Sequence, residues 1–241
     1  KYTPEFTEGI TGIPADALRE AARLYANDVR AAIIYSMGIT QHTTGTDNVL
    51  SVANLAMLTG NIGRPGTGVN PLRGQNNVQG SCDMGALPAL LPGYLRLDDA
   101  DAVEKFETAW GVALPKEKGL TVVEMMHAAH RGDIKAMYIM GENPMLSDPD
   151  LTHVEAGLRN LEFLVVQDIF MTETAKLAHL VLPAVTFAEK DGTFVNTERR
   201  IQRVRKAIEP VGESMQDWQI VSKISTALGY PMKYRDPAAI M

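Results

Sequence analysis

The sequence predicts an α/β protein in which parallel sheets are flanked by helices. Short apolar runs of strand length alternate with amphipathic helical patterns along most of the chain, and such alternation is typical of parallel sheets covered on both faces. The predicted strands end in glycine, amide and carboxylate residues, which is ordinary chemistry for the turns at a sheet edge. We therefore expect Rossmann-like sheets built from strand–helix–strand units.

The first part of the chain predicts one such unit. A helix is predicted over 14–29, where Pro14 stands at the start and apolar residues follow at helical spacing. The apolar run 31–38 predicts a buried strand that ends at a glycine, and 47–63 predicts a helix with a glycine stop.

The pattern then repeats. In chain order it predicts helices over 101–111 and 121–133, a strand over 134–144, a helix over 150–162, a strand over 163–170, a short helix and strand within 172–183, and a closing helix over 215–229.

The interval 63–98 separates these two parts and has no clear period. A connection of that length inside a compact domain is usually functional or disordered, so we expect it to line a site. We place a boundary near residue 76. Residues 1–76 are predicted to be the C-terminal part of one Rossmann-like α/β domain, and 77–241 a second α/β domain.

Composition excludes several classes of protein. The 241 residues are 45% hydrophobic and 22% charged, as in an ordinary globular protein. The net charge of −6 argues against nucleic acid as a main partner, and no apolar run approaches the ~20 residues that span a bilayer. The single cysteine, Cys82, cannot form an internal disulfide, so we expect a reducing, cytoplasmic location.

The residues that follow the predicted strands are the first candidates for a binding site, because ligands of open parallel sheets bind beyond the carboxyl ends of the strands. Glycines there permit close backbone approach, and the amides and carboxylates suit a nucleotide-like ligand. Turn chemistry alone explains each stretch equally well, and the chain has neither a GxGxxG nor a Walker A motif. The candidates are Met37, Gly38, Gln41, Gly141, Glu142, Asn143, Gln167 and Asp168.

The stretch RGQNNVQGSCDMGALP, residues 73–88, is rich in hydrogen-bonding side chains. Arg73 offers a planar, permanently charged fork that matches a carboxylate or a phosphate, and Gln75 can both donate and accept. The alternative is a solvated loop whose arginine forms a surface salt bridge.

No metal ligands are predicted. Glu124 and His127 have the ExxH spacing of carboxylate-bridged metal bundles, and His130 follows one turn later. A second ExxH and the accompanying glutamates are missing, so we interpret these as helix-surface residues.

Four segments, the first of which spans residues 38–88, resemble the catalytic (alpha) subunit of molybdenum- or tungsten-dependent formate dehydrogenases, within the molybdopterin oxidoreductase superfamily. LTGNIGRPGTGVNP is similar to a motif that is widespread in the superfamily, whereas NPLRGQNNVQGSCDMGALP is more specific to formate dehydrogenases. The other three are YIMGENPMLSDPD, VVQDIFMTETAKLAHLVLPA and GTFVNTERRIQ.

The resemblance implies a bis(molybdopterin guanine dinucleotide) cofactor held between two Rossmann-like domains, and the two-electron oxidation of formate to carbon dioxide. It implies that Arg73 orients formate and that Gln75 lies near the metal. It places Asn196, Glu198 and Arg199 near the pterin. The dinucleotide contacts that it implies are Met37, Gly38, Gln41, Gly74, Gly141, Glu142, Asn143, Ser147, Gln167, Asp168 and Thr172.

The chain departs from a whole catalytic subunit of that family. It has no N-terminal domain with cysteines for a 4Fe–4S cluster, no cysteine or selenocysteine followed by histidine upstream, and no C-terminal domain. Since it opens at Lys1, we expect an internal fragment of a longer parent, inactive alone and without bound cofactor. The implied partners are formate, the remaining N- and C-terminal domains, and electron-transfer subunits of a formate dehydrogenase complex.

Two alternatives stay open at this point. The parent could be another molybdopterin oxidoreductase that acts on a different small anion, or the chain could be a non-catalytic, cofactor-free scaffold.

Overall fold

A computed structural model describes residues 1–240 of the chain. These residues divide into two compact units, Lys1–Val78 and the part that starts at Gln79. The predicted boundary after residue 76 lies close to this division, and the assignment of each unit to a separate domain stays a prediction.

The first unit contains four helices and a two-stranded parallel sheet. In chain order its elements are α1 (Pro4–Thr11), α2 (Ala15–Asn27), β1 (Ala32–Tyr35), α3 (Met37–Thr40), α4 (Gly45–Leu58) and β2 (Gly68–Pro71). The strands pair in parallel with Ala32 opposite Gly68 and Tyr35 opposite Pro71.

One expectation for this unit was wrong. The strand predicted to be buried has exposed and half-buried residues in alternation, and Ile34 is 65% exposed. The interval 63–98, which has no clear period in the sequence, contributes β2 as the partner of β1. The run GVNP escaped the strand pattern because glycine, asparagine and proline are depleted in strands.

A buried asparagine ties the elements of the first unit together. Asn61 is 1% exposed; its Oδ1 accepts from the Ala31 amide at 3.2 Å and its Nδ2 donates to the Tyr25 carbonyl at 3.4 Å. One side chain at the end of α4 thus joins the end of α2 to the start of β1, and satisfies backbone groups that burial would otherwise leave unpaired.

The second unit contains the remaining helices and three separate sheets. Its elements are α5 (Val78–Asp83), β3 (Leu90–Leu91), β4 (Leu95–Arg96), α6 (Ala100–Trp110), α7 (Val122–Arg131), β5 (Ala136–Met140), α8 (Pro144–Ser147), α9 (Leu151–Arg159), β6 (Phe163–Asp168), β7 (Leu180–Pro183), β8 (Gly192–Val195), β9 (Ile201–Val204) and α10 (Asp217–Ala227). Short 3-10 turns cover Pro92–Tyr94, Ala175–Leu177, Phe187–Glu189 and Pro237–Ala239.

The core of this unit lies on one face of the parallel sheet β5-β6-β7. Leu164 and Val166 are fully buried and pack with Val154 and Leu158 of α9. Helix α9 approaches α7 closely because Gly157 has no side chain: a Cβ there would lie 3.1 Å from the Met126 carbonyl oxygen. The predicted α/β class with parallel sheets and flanking helices is confirmed.

An antiparallel hairpin, β8–β9, follows that sheet and was not predicted. Its turn is closed by the Arg199 amide donating to the Asn196 carbonyl at 2.9 Å and by the Asn196 amide donating to the Arg200 carbonyl at 3.2 Å. Arg199 adopts φ +62°, a conformation unusual for a long side chain. No glycine marks this turn in the sequence, which is why the hairpin signal is weak. No helix among residues 1–240 is both long and apolar enough to cross a membrane.

A buried carboxylate gives the second unit a pH-dependent stability. Glu189 is 4% exposed; it accepts from the Thr186 amide at 2.8 Å and from the Val211 amide at 2.9 Å. The Thr186 N–H holds the pKa of this carboxyl below its ordinary value of 4.5. Its stabilising contribution is therefore present above that value and is lost as the pH falls through the lowered pKa.

We accordingly expect Glu189→Gln to unfold at lower urea concentration than the parent chain at about pH 7, and the difference to shrink at about pH 3. Urea titrations of both proteins at the two pH values measure this. Glu155→Gln, which removes one exposed pair with Arg159, is the control and should change the midpoint little. A Glu189→Gln difference that is equal at both pH values would contradict the expectation.

Candidate functional site

The first unit brings Arg73 to the carboxyl edge of its sheet. Because β1 and β2 are parallel, the carboxyl ends of both strands lie at the same edge of the sheet. The Leu72 amide donates to the Tyr35 carbonyl at 2.8 Å, and Ser36 Oγ donates to the Leu72 carbonyl at 2.9 Å. Arg73 therefore leaves β2 beside the turn that follows β1.

That turn is α3, which contains the predicted contacts Met37 and Gly38 and is followed directly by the predicted contact Gln41. Gln41 Nε2 lies 3.2 Å from Met37 Sδ, and a Cβ added at Gly74 would lie 3.7 Å from Met37 Cε. Nothing lies within 4 Å of a Cβ at Gly38. The structure thus places Met37, Gly38, Gln41 and Gly74 together, next to Arg73. The space beside Gly38 is open.

Arg73 and Gln75 are both exposed. A guanidinium at the edge of a sheet, beside an open glycine turn, can pair with a small anion that comes from solvent. Its fork is suited to two parallel bonds to a carboxylate.

The second unit gathers its predicted contacts at the carboxyl ends of β5 and β6. The Gly141 amide donates to the Gln167 carbonyl at 2.9 Å and joins the two strand ends. Asn143 Oδ1 accepts from Thr174 N at 3.2 Å and from Thr174 Oγ1 at 2.7 Å, while its Nδ2 donates to Glu173 Oε2 at 2.9 Å. Asn143 therefore joins the loop after β5 to the loop after β6.

The sequence indicated neither Glu173 nor Thr174 as a site residue, although both lie in the quoted VVQDIFMTETAKLAHLVLPA segment. The Asn143 amide lowers the pKa of the Glu173 carboxyl, so this carboxylate is a fixed, ionised acceptor at the strand ends. Thr174 is fully buried and holds the loop to Asn143.

The other predicted contacts of this unit lie in the same two loops. Ser147 Oγ donates to Glu142 Oε1 at 2.5 Å. Asp168 Oδ1 accepts from the Phe170 amide at 3.1 Å, and Thr172 Oγ1 accepts from the Ala175 amide at 3.1 Å. Among the described residues, the second carboxylate oxygen of Asp168 has no hydrogen-bond donor, which leaves it able to accept from a ligand.

Gln167 differs from these, because it is fully buried. Its Oε1 accepts from the Tyr138 hydroxyl and its Nε2 donates to Asp217 Oδ1 at 2.7 Å. Asp217 in turn forms an ion pair with Lys190. The side chain of Gln167 thus supports the strand ends from inside, and its contact with a cofactor stays a prediction.

Tyr138, Lys190 and Asp217 are therefore further site residues that sequence reasoning missed. Burial and the charge of Asp217 raise the pKa of the Tyr138 hydroxyl, so the phenol stays protonated and donates to Gln167. No motif could have found this set, because Gln167 and Asp217 are separated by 50 residues.

The histidines and the cysteine are not arranged as a metal centre. His127 Nδ1 lies 2.9 Å from His153 Nε2, between α7 and α9, and Cys82 is buried. Within residues 1–240, no three His, Cys, Asp or Glu side chains are placed to hold a metal ion.

Comparison with known proteins now identifies the class. The family model of the molybdopterin oxidoreductases matches residues 17–227, so the chain belongs to that family.

Two of its relatives carry the name formate dehydrogenase. The chain is 56% identical over 234 residues to the F420-dependent formate dehydrogenase subunit alpha of Methanocaldococcus jannaschii, covering 97% of this chain and 34% of that one. It is 49% identical over 240 residues to formate dehydrogenase H of Escherichia coli, covering 99% and 34%. The chain thus spans about a third of the length of these relatives.

Among solved structures, the fold is similar to acetylene hydratase from Pelobacter acetylenicus. The TM-score is 0.71 with 18% sequence identity, over 98% of this chain and 36% of that one. At this sequence identity the similarity shows that the two chains share a fold, and no more than that.

The residues present fit the cofactor that the family name implies. That cofactor is a molybdopterin; a dinucleotide form of it would need carboxylate acceptors for its base and ribose, and open backbone where its phosphates approach. Asp168 and Glu173 supply acceptors at the strand ends of the second unit. Gly141, at φ +62°, and Gly38 have nothing within 4 Å of a Cβ position, so backbone is open to a ligand at each edge.

Proposed function

We propose that the chain is part of the catalytic subunit of a molybdenum- or tungsten-dependent formate dehydrogenase. In it, the chain binds part of a bis(molybdopterin guanine dinucleotide) cofactor and orients formate for two-electron oxidation to carbon dioxide. The observation that carries the proposal is Arg73, exposed at the carboxyl edge of β1 and β2 beside the Met37–Gly38 turn. The identity to formate dehydrogenase subunits over nearly the whole chain supports it.

Each unit supplies its own set of cofactor contacts in this proposal. The first offers Met37, Gly38, Gln41 and Gly74; the second offers Gly141, Glu142, Asn143, Ser147, Gln167, Asp168 and Thr172, with the exposed Glu173 beside Asn143. Lys190 and Asp217 hold Gln167 in place through the Gln167–Asp217 hydrogen bond and the Lys190–Asp217 ion pair. The cofactor supplies the two-electron redox chemistry when bound. The chain binds and orients it.

Arg73 acts on the substrate. Its guanidinium pairs with the two formate oxygens, which fixes the direction of the C–H bond and neutralises the carboxylate. Gln75, two residues later, offers an amide that donates and accepts beside it. The gain is positioning and charge complementarity rather than proton transfer.

The remaining parts of the proposal concern the parent protein. A 4Fe–4S cluster in an N-terminal region and electron-transfer subunits of a cytoplasmic complex would accept the electrons. The 241-residue chain alone is expected to be inactive and to bind no cofactor.

The test is to express the reading frame that contains this chain in a host that makes the molybdenum cofactor. Metal content, GMP released by acid, and formate-dependent reduction of a viologen dye are then measured. We expect molybdenum or tungsten, GMP in the ratio that a bis-dinucleotide requires, and dye reduction with formate. Metal and GMP without formate oxidation would support a relative acting on another small anion, and the absence of both would support a scaffold.

A further inference from the structure

A groove of about 380 Å³ lies in the second unit, between α10 and the segment that follows it. Two aromatic rings and two thioethers form its apolar lining, and two lysines form its basic lining. Within residues 1–240, no carboxylate lines it. The apolar and basic lining residues are Met215, Trp218, Lys223, Met232, Lys233 and Tyr234.

The groove is formed by a reversal of the chain after α10. Gly229 adopts φ +92°, a conformation that favours glycine and lets the chain turn back. Ser225 Oγ donates to the Tyr230 carbonyl at 2.6 Å, and the Tyr230 amide donates to the Ser225 carbonyl at 3.0 Å. The Tyr230 hydroxyl also donates to the Trp110 carbonyl at 2.7 Å. Bonds within the chain itself therefore hold residues 232–234 beside α10.

The apolar lining has the residue types that contribute most to protein–protein binding. The indole N–H of the half-buried Trp218 donates to Gln216 Oε1 at 2.9 Å, so its polar atom is satisfied and the ring offers aromatic surface. Tryptophan and tyrosine are enriched among the residues that dominate binding energy. The thioethers of Met215 and Met232 adapt to the shape of a partner.

The charge of the groove is opposite in sign to that of the whole chain. The chain carries a net charge of −6, whereas the groove is lined by two ammonium groups. In the part of the chain that the structure describes, neither Lys223 nor Lys233 forms an ion pair with a carboxylate. Lys223 Nζ lies 3.1 Å from Met215 Sδ, which is a weak acceptor. The groove is therefore complementary to a segment that carries carboxylates next to an apolar side chain.

A nucleotide fits the same groove less well. Phosphate groups bind preferentially at glycine loops and free helix N-termini. No glycine lines this groove within residues 1–240. The first turn of α10 is closed by a capping box between Gln216 and Gln219, and it contains the carboxylate of Asp217. A protein segment needs neither feature, because its carboxylates pair with lysine side chains.

We propose that this groove is a docking site for an acidic segment of a partner protein, in which an apolar side chain stands between carboxylates. The apolar side chain packs on Trp218 and Met232, and the flanking carboxylates pair with Lys223 and Lys233. The proposal concerns a surface of the second unit alone and does not depend on the proposed function.

The test uses the capped hexapeptide EELFEE as the probe. It is titrated into the isotope-labelled 241-residue chain, and NMR follows the methyl signals of Met215 and Met232 and the indole signal of Trp218. We expect these signals to shift and to saturate. The double variant Lys223→Glu/Lys233→Glu should bind the peptide about tenfold more weakly, because repulsion replaces two complementary pairs.

The double variant Lys105→Glu/Lys116→Glu is the matched control. It changes the net charge by the same amount, and both lysines are exposed and lie outside the groove. The peptide should bind it with the affinity of the unchanged chain. An equal loss of affinity in both double variants would show attraction by net charge alone and would overturn the proposal.

A second arm uses the parent enzyme, into which a fluorescent form of the same peptide is titrated with anisotropy as the readout. Affinity equal to that of the chain supports the proposal. Binding to the chain but not to the parent shows that another part of the parent fills the groove, and this overturns the proposal.

Two further arms test other occupants of the groove. If the groove signals shift with GMP and not with the peptide, the groove is a nucleotide site. If they shift with protein concentration in the absence of peptide, a second copy of the chain occupies it. Either result overturns the proposal, as does a peptide titration that leaves the groove signals in place.

Discussion

Arg73→Lys in the holoenzyme is expected to lower kcat/KM for formate by about two orders of magnitude, in the range that loss of one oriented charge-stabilising donor produces. Lysine keeps the positive charge but presents a point ammonium in place of a planar fork, so the two parallel bonds to the formate oxygens are lost. The backbone at this position should stay in place, because the bonds that anchor it come from Leu72 and Ser36. The measurement is steady-state formate oxidation, together with metal and GMP content.

Arg23→Lys is the control for that substitution. Arg23 is an exposed arginine on α2, outside the proposed site, and its replacement should leave kcat/KM and cofactor content at the values of the parent enzyme. Equal formate turnover by Arg73→Lys and Arg23→Lys would remove Arg73 from the mechanism. Loss of metal from Arg73→Lys would instead indicate that Arg73 contacts the cofactor.

Strands β5, β6 and β7 were predictable because buried strands of a parallel sheet consist of continuous apolar residues. Leu164, Val165 and Val166 are buried consecutively in β6, and such a run is typical of a strand covered on both faces. The glycine and amide residues after β5 were predictable for a similar reason, since turn chemistry is local. The positions of Gly141 and Asn143 at the strand ends could therefore be deduced from neighbouring residues alone.

The strand β2 and the hairpin β8–β9 could not be predicted in the same way. GVNP forms β2 because β1 lies beside it, and three of its four residues, Gly68, Asn70 and Pro71, are of types depleted in strands. The hairpin turn is set by Arg199 at positive φ rather than by a glycine. In both cases tertiary contacts override local propensity.

The hydrogen bonds within the candidate site could not be predicted from the spacing of residues in the sequence either. Asn143 meets Glu173 and Thr174 across about 30 positions, and Gln167 meets Asp217 across 50. Residue type indicated which side chains can bind a nucleotide, but hydrogen-bond partners depend on how the loops fold back. The structure therefore separates exposed acceptors such as Glu173 from side chains such as Gln167 that hold the loops from inside.

Gly45→Ala should be the most damaging single-methyl change in the first unit. A Cβ at this position would lie 2.0 Å from the Thr40 carbonyl oxygen and 2.9 Å from the Thr40 carbonyl carbon. Both atoms belong to the backbone, so no side chain can rotate away, and α3 must move from the start of α4. We expect destabilisation of about 3 kcal/mol, the upper part of the range for overpacking.

The same displacement should loosen the predicted cofactor turn. Helix α3 contains Met37 and Gly38. Asn48 Nδ2 of α4 donates to the Ile39 carbonyl of α3 at 2.9 Å, which joins the two helices. Since both tryptophans, Trp110 and Trp218, lie in the second unit, their fluorescence would miss the change. Far-UV circular dichroism in urea and deuterium exchange over residues 36–48 report on it directly.

Gly9→Ala provides the matched comparison for Gly45→Ala in the same unit. Gly9 lies within α1, with nothing within 4 Å of its Cβ position, and alanine there should stabilise the chain by about 0.5–1 kcal/mol through its higher helix propensity. Opposite signs for two identical substitutions would tie the damage at Gly45 to contact with Thr40 rather than to the added methyl group. If Gly45→Ala unfolds at the same urea concentration as Gly9→Ala, the close approach of α3 to α4 is not a feature of the molecule in solution, and the site built on α3 loses its support.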